Sequence, residues 1–119
     1  LSELCVSENF ATHVFDIPPS TLHLSTVCSS PRPGTLVTAE GHLTPEQFEG
    51  LEAEIVWIPN DESYAANTIG FADGSVIISA DYPVTKATME ELGFTIREVN
   101  MEHIRAADGS LTCLKVFID

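Results

Sequence analysis

Few side chains in this chain combine the type and the setting that a covalent reaction needs. Cys113 follows a glycine turn in Asp108-Gly109-Ser110-Leu111-Thr112-Cys113-Leu114-Lys115 and reads as the start of a final strand. Two readings stand for its thiol. One is a small buried hydrophobe, which free cysteine commonly is. The other is a nucleophile whose ionisation Lys115, two residues on and on the same strand face, would favour. His23, in Ser20-Thr21-Leu22-His23-Leu24-Ser25-Thr26, points away from Leu22 and Leu24 if that stretch is extended. It reads either as a satisfied structural imidazole or as a base. A thiol with a distant imidazole is the minimum for thiolate catalysis, in which the base also activates a later water. Cys5 and Cys28 have no such context and read as packing residues, and His13, His42 and His103 lie in polar stretches and read as surface. No glycine-rich phosphate loop, metal-ligand spacing or serine elbow competes, so neither a cofactor nor a metal is expected.

The elements that must position these residues repeat. A shift of 41 residues brings Leu36-Val37-Thr38-Ala39-Glu40 onto Ile77-Ile78-Ser79-Ala80-Asp81, and Thr44, Phe48 and Leu51 onto Thr85, Met89 and Leu92, without a gap. Ile55 and Ile58 fall on Ile96 and Val99, and the reverse shift sends Leu51, Ile55 and Ile58 to Phe10, Val14 and Ile17. Register kept across hairpin, helix and strand marks a repeated unit. Within it, Ala72-Asp73-Gly74 separates two apolar runs between Asn67 and Ala80, which predicts a β-hairpin. Ser29-Ser30-Pro31-Arg32-Pro33-Gly34 is the expected loop of the earlier hairpin. Thr44-Pro45-Glu46-Gln47 is a capping box that opens a helix, Gly93 is placed to end the next one, and short strands follow at 54–58 and 95–99. The unit is ββαβ. Such units stack because one alone cannot cover its apolar faces. The expected fold is α/β, a partial α/β propeller or solenoid, with residues 1–119 forming a single domain of about two complete units and parts of flanking ones. The end units would each expose a face meant for a neighbour, so self-association or a complementary chain is expected.

Composition bounds the rest. The 119 residues fill about 0.8 of a domain at roughly 150 residues each. With 44% hydrophobic and 19% charged residues and a mean hydropathy of +0.12, the chain is expected to fold. No apolar run approaches about 18 residues and no basic stretch precedes an apolar one at the start, so neither a membrane span nor a signal peptide is expected. Five Lys and Arg against 18 Asp and Glu leave a net charge of −13, which repels nucleic acid and suits a cationic small molecule as well as plain solubility. Three widely spaced cysteines fit neither a disulfide framework nor a zinc knuckle, which points to reduced thiols and a cytoplasmic location. Leu1 is not an initiator methionine, which leaves a processed start or a longer parent chain open.

Four ordered motifs carry a resemblance to a known family. These are Leu22-His23-Leu24-Ser25-Thr26, then Ile58-Pro59-Asn60-Asp61-Glu62-Ser63-Tyr64-Ala65-Ala66-Asn67, then Asp81-Tyr82-Pro83, then Asp108-Gly109-Ser110-Leu111-Thr112-Cys113. From about Thr21 to the end, the chain resembles the C-terminal part of the dimethylarginine dimethylaminohydrolase family. That family is a branch of the guanidine-modifying superfamily, which also includes arginine deiminase and amidinotransferase. The resemblance implies a five-bladed α/β propeller of ββαβ units around a substrate channel, with Cys113 as nucleophile and His23 as acid/base. The implied reaction gives citrulline and an alkylamine from a small cationic guanidine. It further implies that the carbonyl of Ala107, beside Asp108, helps to hold the substrate. Arginine deiminases and amidinotransferases usually carry Asp two residues after this histidine. Ser25 stands there, which favours the dimethylarginine branch. The family's guanidinium-clamping carboxylates lie upstream of the histidine, and this chain starts too late to contain them. Whether it is an enzyme therefore stays open between three readings: a hydrolase completed by upstream units or a partner chain, a non-catalytic module for association or cationic-ligand binding, and an arginine deiminase-like hydrolase.

Overall fold

The computed structural model describes residues 12, 14–21, 23–116 and 118. Cys5, His13, Leu22 and Phe10, which figure in the sequence reading, lie outside them. Two three-stranded sheets follow one another along the chain, each a hairpin joined by a crossover to a parallel third strand. The first holds β1 (Cys28–Arg32), β2 (Thr35–Ala39) and β3 (Glu54–Ile58); the second holds β4 (Ile69–Gly70), β5 (Ser75–Ser79) and β6 (Thr95–Val99).

The first hairpin turns on Pro33 and Gly34 alone, Gly34 taking a φ of +79°. Residues 29–32 were expected in the loop and belong instead to β1. The reason is tertiary. The Ser29 hydroxyl is bonded to the Ala66 carbonyl, lies 2.7 Å from the Thr68 hydroxyl and accepts the Thr68 N–H at 3.0 Å, so a residue with turn chemistry is fixed against the next unit. Pro31 sits where the β1–β2 register slips between Ser29 and Arg32, the irregular position at which a strand tolerates a missing N–H.

The crossovers differ. The first contains a single 3-10 turn, Pro45–Phe48, and not the amphipathic helix that its capping box predicts. The box is formed, with the Thr44 N–H donating to Gln47 Oε1 at 2.8 Å, but Gly50 at φ +85° redirects the chain two residues after the turn. Phe48 still delivers its ring to the interior, 5.7 Å from Trp57 and 5.2 Å from Phe15. The second crossover holds the helix α2 (Pro83–Glu91), with Thr85 and Met89 on its buried face and Gly93 at φ +89° ending it as expected. Its N-terminus has no local side-chain cap. Glu62, from the 3-10 stretch Asn60–Ala66, accepts the N–H groups of Val84 (3.1 Å) and Thr85 (2.7 Å) and the Thr85 hydroxyl (2.7 Å).

Thr35 pairs with Glu54 and Ser75 with Thr95, so the second crossover is one residue longer than the first. One residue exchanges the faces of a strand. Val56 and Ile96 both pack on the core, and Val99 is exposed where Ile58 is buried. The ungapped equivalence of Ile55 with Ile96 and of Ile58 with Val99 is therefore corrected: the repeat is real, but it slips by one between hairpin and last strand.

Both sheets feed one core, in which Val37, Ala39 and Ile58 of the first meet Val76, Ile78 and Met89 of the second unit, with Ala65 and Ala66 between them. The two sheets approach tightly at Gly70, where an added Cβ would stand 1.6 Å from the Pro31 carbonyl oxygen. Arg32 spans the same seam. Its guanidinium donates to the Leu92 carbonyl at 3.0 Å and lies 4.7 Å over the Phe94 ring. Among the described residues, no helix is long and apolar enough to cross a membrane.

Candidate functional site

His23 is the N-cap of a one-turn helix, α1 (Leu24–Val27), with extended backbone at φ −142° and ψ 151°. Its carbonyl accepts the Thr26 N–H at 3.0 Å, and the residue is exposed. The strand expected around it is not formed: a turn closed by the Thr21 N–H on the Pro18 carbonyl at 2.9 Å precedes His23, and α1 follows it directly. Cys113 lies in a 3-10 turn, Leu111–Leu114, and not at the start of a strand. The approach to that turn is shaped by α3 (Glu102–Ala106) and by Asp108 at φ +61°, after which the Gly109 N–H returns to the Ile104 carbonyl. Tyr64 pins this corner, its hydroxyl donating to the Gly109 carbonyl at 2.7 Å. Burial above all pushes the Tyr64 phenol up, which keeps that donor protonated.

Although 90 positions apart, His23 and Cys113 line one open cavity of about 300 Å³. Both are exposed to it. Hydrogen bonds from the Ser110 hydroxyl, 3.3 Å from the sulfur, and from the Ser110 backbone hold the Cys113 thiol below its usual range. The sequence reading assigned that effect to Lys115; the lowering comes from Ser110 because the 3-10 turn folds residue 110 back onto residue 113. Cys28 behaves oppositely. It is half-buried, and desolvation pushes its thiol up against a smaller opposing effect of the Thr38 hydrogen bond. Both thiols are free.

Asp108 reaches the cavity wall, but Ala107 does not; Ala107 follows α3 and donates its N–H to the Ile104 carbonyl at 3.1 Å. Asp108 is the one carboxylate on that wall among the described residues. His42, read from sequence as a surface residue, is half-buried and also faces the cavity. Its Nδ1 lies 2.8 Å from the Thr21 hydroxyl and its Nε2 3.0 Å from Asn60 Oδ1, so the ring is held at both ends. Arg105 borders this cavity and a second one of about 470 Å³, which contains neither thiol nor imidazole. Its guanidinium donates to the Tyr82 hydroxyl at 2.9 Å and lies 5.1 Å over the Tyr64 ring. Nothing in the spacing of His42 or Arg105 marked either residue. Tyr64 stood inside a quoted motif, but its bond to Gly109 is visible only in the fold. Among the described residues, no group of three or more His, Cys, Asp or Glu side chains converges as a metal site requires.

No family model matches the chain. It is 33% identical over 95 residues to N(G),N(G)-dimethylarginine dimethylaminohydrolase of Pseudomonas aeruginosa, covering 80% of this chain and 36% of that protein. It is also 33% identical over 82 residues to an uncharacterised protein of Aeropyrum pernix, covering 69% and 30%. The chain thus spans about a third of the length of the curated relatives it matches. A crystal structure of a dimethylarginine dimethylaminohydrolase adduct with 4-chloro-2-hydroxymethylpyridine superposes with a TM-score of 0.70 at 32% identity, covering 82% of this chain and 38% of that one. An amidinotransferase from Microseira wollei superposes with a TM-score of 0.80 at 15% identity over 93% of this chain and 35% of that one, which is a likeness of fold. The mixed-sheet α/β fold is thus shared with both.

Proposed function

We propose, from the homology of this chain to dimethylarginine dimethylaminohydrolase and its fit to the guanidine-modifying superfamily, that it carries the thiol and imidazole half of a guanidine-modifying site. The observation that carries the reading is the convergence of His23 and Cys113 on one cavity, beside a carboxylate, in a chain of net charge −13. In this reading the Cys113 thiolate attacks the guanidinium carbon of a dimethylarginine-like substrate. The C–N bond to the substituted nitrogen breaks as His23 gives that nitrogen a proton, and an alkylamine departs. A covalent thiouronium remains on Cys113. His23, now neutral, takes a proton from water, whose oxygen attacks the same carbon; the C–S bond breaks to regenerate the thiolate, and the O-protonated urea so formed loses its proton to solvent and leaves as citrulline. Asp108, on the cavity wall, meets the cation beside the sulfur; Ala107, expected to share that role, does not line the cavity.

A flat, correctly turned guanidinium needs more than one carboxylate, since a bidentate clamp supplies much of the orientation that lowers the barrier. We therefore assign the remaining carboxylates to further propeller units of a longer parent chain or a partner chain, or to other acidic residues of a second copy. In this reading the two sheets described here form consecutive blades within a single domain of residues 1–119, and a reducing, cytoplasmic setting keeps the Cys113 thiol available. The single carboxylate on the cavity wall favours one second reading, a non-catalytic module that binds cationic ligands.

Site-resolved labelling with a soft electrophile tests this, with citrulline measured in the same samples. The expected result is Cys113 labelled well ahead of Cys28, with citrulline from the 119-residue chain alone at background. Equal labelling removes Cys113 from its role. Robust citrulline release means that copies of this chain complete the site for each other.

A further inference from the structure

We propose that Asn67 is the positioning residue that sets the imidazole of His23 against the thiol of Cys113, an inference that rests on the paired role given to them above. Asn67 is 1% exposed and follows the 3-10 stretch that joins the two sheets. Its Nδ2 donates to the Ser25 carbonyl at 2.5 Å and to the Thr112 hydroxyl at 2.8 Å, and its Oδ1 accepts the Thr112 N–H at 3.0 Å. Ser25 lies two residues after His23, and Thr112 directly precedes Cys113. One buried amide therefore ties together two segments that reach it from 42 and 45 positions away. Among the described residues, no other side chain is hydrogen-bonded to both.

The two backbone partners fix the orientation of the amide. The Thr112 N–H needs an acceptor and the Ser25 carbonyl needs a donor, so only one flip satisfies both. Aspartate has the same shape but cannot donate to Ser25, where oxygen would face oxygen. It can still accept from Thr112. The Asn67→Asp variant therefore separates the two halves of the joint: the turn around Cys113 keeps its bond while the His23 segment loses its own. Alanine loses both. Neither substitution touches the reacting groups, so their effect is felt through geometry, to which reactivity is steeply sensitive, on the order of 100-fold per 1 Å.

The experiment is a cycle on the full 119-residue chain, reading the pH profile of Cys113 alkylation by iodoacetamide. Removing His23 (His23→Ala) in the wild-type background is expected to slow Cys113 at neutral pH by about tenfold and to move the profile's midpoint, as loss of a proton-accepting partner does. In Asn67→Asp and Asn67→Ala backgrounds the same removal is expected to change the rate less than about twofold, because imidazole and thiol no longer face each other. Circular dichroism establishes that each variant is folded, and Asn67→Asp serves if Asn67→Ala does not fold. A merely structural asparagine would lower the melting temperature and leave the His23 effect intact, and that result overturns the inference. If His23→Ala has no effect in the wild-type background, the paired role itself fails and the inference falls with it. The two failures are read from different arms.

Discussion

Replacing Glu62 by alanine removes the cap of α2, and the structure supplies the terms of the cost. Glu62 is 7% exposed and accepts three hydrogen bonds, from the Val84 N–H, the Thr85 N–H and the Thr85 hydroxyl, at 2.7 to 3.1 Å. The Thr85 groups are buried and gain no water when the carboxylate goes, which costs about 1–3 kcal/mol for an unsatisfied donor. Loss of the cap and of a negative charge at the helix start adds about 1–2 kcal/mol. Release of the buried carboxylate from its desolvation offsets part of this. The net expectation is a loss of about 3 kcal/mol, with roughly half of it for Glu62→Gln, which keeps one acceptor but turns an amide NH2 toward donors. With a urea slope of about 2 kcal/mol/M, the alanine variant's midpoint falls by about 1.5 M. The control is Glu98→Ala, which breaks the exposed 2.9 Å pair with Lys86 and is expected to cost under about 1 kcal/mol. An alanine variant at position 62 within about 0.5 kcal/mol of wild type refutes the capping argument.

Other outcomes follow from the same packing. Gly70→Ala pushes a methyl into the Pro31 carbonyl and is expected to cost about 3 kcal/mol or to prevent folding, read by thermal melting. Met89→Ala empties a fully buried site between the two sheets and is expected to cost about 2–5 kcal/mol in urea unfolding. The alkylation midpoint of Cys113 is expected below, and that of Cys28 above, the midpoint of an ordinary thiol. Ser110→Ala moves the Cys113 midpoint up, because it removes the hydroxyl bond that favours the thiolate. The opposite order of the two cysteines contradicts the local geometry.

What could be read from sequence was local. Ala72-Asp73-Gly74 marks its hairpin because Asp73 accepts from the backbone and hydroxyl of Ser75 and Gly74 takes a φ of +86°, both of them properties of adjacent residues. Thr85, Met89 and Gly93 marked α2 by spacing alone, and the three-stranded units followed from the repeat. The errors arose where distant groups decide. Residues 29–32 look like a loop until Thr68 and Ala66 take up the Ser29 hydroxyl. The capping box at Thr44 predicts a helix that ends after one turn, where Glu49 at ψ 134° and Gly50 at φ +85° form a turn closed by the Leu51 N–H on the Phe48 carbonyl. The one-residue slip between hairpin and last strand lies in the crossover length, which an ungapped shift cannot register. His23 and Cys113 were singled out from residue type and resemblance, whereas His42, Ser110 and Asn67 act through partners that only the fold brings near.

The central claim is that the cavity shared by His23 and Cys113 accepts a planar cation for attack by sulfur. Its most direct test compares two electrophiles of similar size at each cysteine, a cationic haloacetamidine and a neutral haloacetamide, by site-resolved mass spectrometry. The account predicts that Cys113 prefers the cationic reagent by at least about tenfold relative to Cys28, and that Asp108→Asn reduces the preference. A Cys113 that discriminates no better than Cys28 would contradict it.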